Sequence, residues 1–159
     1  MAAESGRLCP LNAWQRRAHR ATQNGCAGEL TRDVALLDAY LAKVSGDLPP
    51  AALGALAAIK ETLARAIVAL ADSDASDIGV EETFFIQEMV TRYLPDACRH
   101  YVEAARAAGG VREEGSTAEQ SLCRQLEILH ARLQRTLTGI AASKARALAN
   151  HEAFVRTKQ

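Results

Sequence analysis

The sequence predicts an all-α fold, an antiparallel bundle of four to six helices with a long C-terminal helix and a proline break near Pro95. Three observations predict it. Alanine supplies 32 of 159 residues and leucine 18, against 14 valines and isoleucines together and 4% aromatics, a mixture that favours helix over strand. Apolar residues recur at steps of three and four in several separate stretches. Turn-forming residues fall between those stretches, from Gly46 to Pro50 and at Gly109-Gly110. The length suits one domain, 1–159, able to bury a core without disulfides or a structural metal.

Residues 1–28 read as a loosely packed N-terminal helix or arm, with a short helix over Leu11 to Gln23. From Glu29, Leu30, Val34, Leu37, Leu41 and Val44 make one stripe, broadened by Leu36 and Tyr40. Gly46 supplies a left-handed stop and Asp47 an N-cap for the next helix, with Pro49 and Pro50 in its first turn. That helix runs from about Pro50 to Ala71 on Leu53, Leu56, Ile59, Leu63, Ile67 and Leu70, and its many alanines invite a close neighbour. A third begins near Gly79 or Val80, with Glu81 and Glu82 where carboxylates meet the positive helix end. Pro95 has no amide to donate and its ring crowds the Thr91 carbonyl, so the helix must kink or restart there before ending at Gly109-Gly110. Ser116-Thr117-Ala118-Glu119 is a capping box opening the last helix. Its stripe of Leu122, Leu126, Leu129, Leu133, Leu137 and Ile140 weakens near Ser143 and resumes at Phe154 and Val155. Unbroken, it would reach ~60 Å, with Gly139 as a place to bend and a far end free to pair with another molecule.

Nineteen basic and nineteen acidic side chains cancel, which disfavours a dedicated nucleic-acid binder; the basic segment at Trp14, Arg16, Arg17 and Arg20 reads foremost as a helix anchored by its tryptophan. No apolar run approaches the ~20 residues of a membrane span, and the opening residues do not read as an export signal, so a cytoplasmic protein with no membrane insertion is expected. Cys9, Cys26, Cys98 and Cys123 never take C-x-x-C spacing and read as reduced packing residues.

No complete catalytic signature is present, whether nucleophile elbow, phosphate loop, H-E-x-x-H or dinucleotide fingerprint. Asp72 to Asp77 fails as a calcium loop, offering Asp77 and Thr83 where Gly and Glu belong. His100 stands near Cys98, Arg99 and Glu103, but two residues on a helix point Cys98 and His100 in different directions. Glu127 and His130 form a single E-x-x-H element, where a dimetal bundle needs two and further glutamates; no metal or other cofactor is expected. Phe84-Phe85-Ile86 cannot all face one core, so either the bundle encloses the segment or Phe84 meets a partner.

The run from Phe84 to Tyr101, centred on Tyr93-Leu94-Pro95 and followed by a Gly-rich turn and a leucine-striped helix, resembles bacterial all-helical proteins linked to toxic-anion resistance and bromochloroindolyl-phosphate hydrolysis. The resemblance covers roughly Thr83 to Val155 and implies a helical scaffold. Two functions follow from the residues. One is a non-catalytic bacterial interaction module, an adaptor, regulator or accessory subunit, meeting a protein partner or a second copy through Trp14, Arg16, Arg17, Arg20, Phe84, Leu133, Leu137, Ile140 and Leu148. The other is a small-molecule enzyme or ligand-sensing bundle with a cleft near Tyr93, His100 and Tyr101.

Overall fold

A computed structural model describes residues 11–73, 79–109 and 116–158, with side chains from Gly25 onward except that of Cys26. Helix α1 (Leu11–Val44) leads through a 3₁₀ turn (Ser45–Asp47) into α2 (Pro50–Ala71). Helix α3 (Val80–Glu88), a π-helical turn (Met89–Tyr93) and α4 (Leu94–Ala107) follow as one rod, and α5 (Thr117–Thr157) closes the chain. The all-α bundle, the long last helix and the proline-associated irregularity are thus all present.

Two antiparallel hairpins, α1 with α2 and the α3–α4 rod with α5, lie side by side, so that α2 packs along α5 and α1 along the π turn and α4. Few cross-links fix the level of one rod against the next. Lys60 Nζ meets Asp38 Oδ1 at 2.7 Å between α1 and α2. Thr62 Oγ1 lies 2.9 Å from His130 Nε2 between α2 and α5. Because the Thr62 hydroxyl donates to the Ala58 carbonyl at 3.0 Å, the imidazole must be the donor in the inter-helix bond.

The core is the set of stripes turned inward. Leu30, Leu37 and Leu41 of α1, Ala52 to Leu70 of α2, Phe85 to Val102 of the third rod, and Leu122, Leu126, Leu133 and Ile140 of α5 form one cluster. Three expectations about where helices begin and end need correction. Gly25 and Gly28 do not interrupt α1, which runs unbroken from Leu11; a lone glycine costs only ~1 kcal/mol in a helix, and no proline stands there to stop it. Gly46 takes no left-handed conformation, that being confined to Gly109 at φ +82° among the described residues, because a 3₁₀ turn rather than a glycine cap closes α1. Helix α2 starts at extended Pro49 without a side-chain cap, so Asp47 is not its N-cap.

At α5 the serine cap is formed, with Ser116 Oγ accepting from the Glu119 amide at 3.2 Å. The helix continues through Gly139 as 41 residues without interruption, ~62 Å against ~33 Å for α2. Leu133 and Ile140, expected to offer an outward surface, are buried, and Leu137 packs against the core as well. They continue the seven-residue row of Leu126, which faces α2 and the third rod over that whole length. Leu36, expected to widen the α1 stripe, is exposed instead.

Candidate functional site

The site originates in the proline. In α3 the inward row runs Phe85 to Met89, and a regular helix would continue it at Tyr93. Pro95 cannot donate and crowds the carbonyl four residues back. The chain relieves this by widening one turn: the Leu94 amide donates to Met89 oxygen, five residues back. The extra residue shifts the register, so the row resumes at fully buried Leu94 while Tyr93 swings to the surface at 36% exposure. Tyr40 Oη donates to the Pro95 carbonyl at 3.5 Å from α1. Burial raises the Tyr40 phenol above its usual pKa, with Cys98, Asp96 and Glu103 adding to the rise and Arg99 opposing it.

Tyr93, the last residue of the widened turn, and Asp96, Ala97 and His100 of α4 line up along one edge of α5. Across from them α5 supplies Gln125, Ile128 and Leu129, and these seven residues line a surface hollow of about 300 Å³. A second hollow of about 130 Å³ shares Ala97, His100 and Gln125 and continues toward the α4–α5 turn past Tyr101, Ser121 and Leu122. The two make one groove with an apolar floor and a polar rim. Tyr101 is buried, so its ring forms part of the floor, whereas His100 and Gln125 stand exposed on the rim.

The rim is ordered by local ion pairs. Asp96 Oδ1 receives Arg99 Nη2 at 2.8 Å, and Arg99 also approaches Glu103 at 4.0 Å. Arg92 pairs with Glu88 at 3.3 Å and sits 5.9 Å from the Tyr93 ring centre. One turn further along the same face of α5, the Arg132 guanidinium lies 4.1 Å over the Phe85 ring and ties α3 to α5 just beyond the groove.

Cys98 does not join this site. Its thiol is buried on the core side of α4 and burial pushes it up to about 11, so at neutral pH it is not the thiolate that attacks. His100 therefore has no nucleophile beside it on its helix. His130 donates to Thr62 and Glu127 is exposed, so the E-x-x-H element works as an inter-helix tie on one side only. No group of three His, Cys, Asp or Glu able to hold a metal gathers among the described residues. Cys98 and Cys123 are free, and the Cys123 thiol is raised by burial and then by Glu119 and Glu127.

Of the residues expected to meet a partner, Phe84 is 61% exposed beside exposed Val80, and Leu148 is 70% exposed. Trp14, Arg16, Arg17 and Arg20 fall on α1, but their side chains lie outside the described set. Sequence reasoning singled out Tyr93, His100 and Tyr101 and missed Asp96, Ser121, Gln125 and Ile128. The signal for the last three was a polar and apolar row at steps of four and three flanking the Leu122–Leu129 stripe. Among the described residues no helix is long and apolar enough to cross a membrane. Neither a protein-family model, nor a curated protein, nor a solved structure matches the chain.

Proposed function

We propose that this chain is a bacterial, cytoplasmic ligand-sensing helical bundle that holds a small, mostly apolar organic molecule in the α4–α5 groove. The observation that carries the reading is convergence: Tyr93 from the π turn, His100 from α4 and Gln125 from α5 meet over a hollow of about 300 Å³ floored by Ala97 and Leu129. Small-molecule sites combine an apolar surface with a few placed polar groups in this way, and this hollow matches the lower end of their usual size. With Asp96 already paired to Arg99 and the rest of the lining mostly uncharged, the groove suits a neutral molecule, with His100 and Gln125 fixing its polar end. Binding rather than turnover is favoured because the nearest thiol, Cys98, is protonated and faces the core.

A thermal-shift screen with neutral aromatic compounds tests this. A compound at about 100 times its Kd adds ~2.7 kcal/mol to stability. Gln125→Trp, a change at an exposed position, fills the hollow and should abolish that gain. A stabilising compound that acts equally on the wild type, Gln125→Trp and His100→Ala would contradict the assignment.

A second reading, an interaction module that works by covering helical surface, is favoured by Leu148, Phe154 and Val155, all exposed on the last turns of α5. It predicts that a protein partner is lost when these three are made polar while the groove still binds its ligand.

A further inference from the structure

The two hollows of the groove share their polar residues. His100 and Gln125, with Ala97 beneath them, line both the hollow of about 300 Å³ and the one of about 130 Å³. They therefore stand where the hollows meet. On one side lie Tyr93, Ile128 and Leu129; on the other, toward the α4–α5 turn, lie Tyr101, Ala104 and Ala118. Along α5 the groove runs from Ala118 to Leu129, ~16 Å at the helical rise. A polar centre between two apolar compartments of unequal size sets the outline of what fills them. The polar end of a molecule in the larger hollow alone becomes the middle of one that occupies both.

The volumes limit what stands on each side. An apolar cavity of ~150 Å³ accepts benzene. The larger hollow, about twice that, has room for a fused two-ring aromatic against the Tyr93 ring and Leu129. The smaller falls short of it and is walled by alanines, so it suits a short alkyl chain. No lysine or arginine lines either hollow, and the Asp96 carboxylate is held by Arg99 at 2.8 Å, which leaves an uncharged group for the centre. A neutral imidazole and a carboxamide each carry a donor and an acceptor, and here they stand on opposite walls, His100 on α4 and Gln125 on α5. A trans secondary amide turns its C=O and its N–H to opposite sides, one toward each wall. An ester lacks the donor, and a hydroxyl gathers both functions on one atom.

We propose that the groove binds neutral secondary amides that join a fused-ring aromatic group to a short alkyl chain. The amide lies between His100 and Gln125, the rings beside Tyr93, and the alkyl chain between Ala104 and Ala118. This rests on the ligand-sensing reading above and narrows it to one class of ligand.

Naphthyl fluorescence anisotropy, with the full chain titrated from about 1 to 500 μM into about 1 μM of compound, reads the affinities. The compounds are N-propyl-2-naphthamide, 2-naphthamide and the ester propyl 2-naphthoate. The propyl amide should bind ~10-fold or more tighter than 2-naphthamide, since burying its alkyl carbons is worth at least a decade of affinity. It should bind ~5-fold or more tighter than the ester, which leaves one groove acceptor without a donor. Ala104→Leu, a change at an exposed position, fills the smaller hollow and should bring the two amides within ~2-fold of each other. Either His100→Ala or Gln125→Ala, whichever removes the acceptor of the N–H, should do the same for the propyl amide and the ester. Equal binding of the two amides by the wild type overturns the proposal, as does an ester that binds as well as the amide or a propyl preference that survives Ala104→Leu. If the compounds bind without those preferences but are lost in Gln125→Trp, the amide assignment falls and the groove reading stands. Binding indifferent to Gln125→Trp removes both. A propyl amide that fails to bind also overturns the proposal, and the wider thermal-shift screen then decides the groove by itself.

Discussion

Leu133→Ala and Leu148→Ala remove the same atoms from one helix, about 15 residues apart, and the structure assigns them opposite costs. Leu133 is fully buried, within the seam against α2 and the third rod, whereas Leu148 is 70% exposed on the C-terminal part of α5. Three buried carbons at ~0.8 kcal/mol each give ~2.4 kcal/mol of lost transfer energy, and the unfilled cavity raises Leu133→Ala to roughly 3–5 kcal/mol. At position 148 less than a third of that burial exists, and alanine is the better helix former. The expected net change is therefore about 0.5 kcal/mol or less. For a chain of this size the first substitution lowers Tm by about 10 °C. Urea unfolding followed by helical circular dichroism measures both. Equal midpoints for the two variants would refute Ile140 as the last buried level of the α5 seam.

Three further outcomes follow from local chemistry. The Cys98 thiol rises from 9.0 to about 11 on burial, so the folded state keeps a proton that the unfolded chain releases. Its contribution is intact below pH 9 and is lost as pH climbs toward 11, and a Cys98→Val variant should lose less stability over that window by denaturant titration. Ser116→Ala removes the acceptor for the Glu119 amide and should cost ~1 kcal/mol, read as a shifted urea midpoint with unchanged slope. Thr62→Val leaves the His130 donor without its acceptor and should cost ~1–2 kcal/mol, but markedly less in a His130→Ala background, giving a double-mutant coupling of ~1 kcal/mol.

How far the sequence carried depended on whether each signal was periodic. Helix α2, the start of α3, the Ser116 cap and the end at Gly109 were legible because stripes and turn chemistry agreed at each. The continuity of α1 was not, since two glycines look like punctuation until packing over Leu30 to Leu41 supports the helix beyond them. The proline was legible as a disturbance but its form was not. Only the backbone shows a widened turn in place of a break, and that one-residue shift is what turns Tyr93 onto the groove. His100 and Tyr101 were read as neighbours in sequence, yet one is rim and the other floor. Leu133 and Ile140 looked available because a long heptad row does not reveal where its cover stops. That limit is set by the lengths of α2 and the third rod.

The groove is tested most directly by amide chemical-shift mapping of the labelled full chain against a compound that stabilises it. Saturable shifts clustered on Tyr93, Ala97, His100, Tyr101, Ser121, Gln125 and Ile128, lost in Gln125→Trp, are the expected result. Shifts centred elsewhere on the bundle, with these residues still, would contradict it.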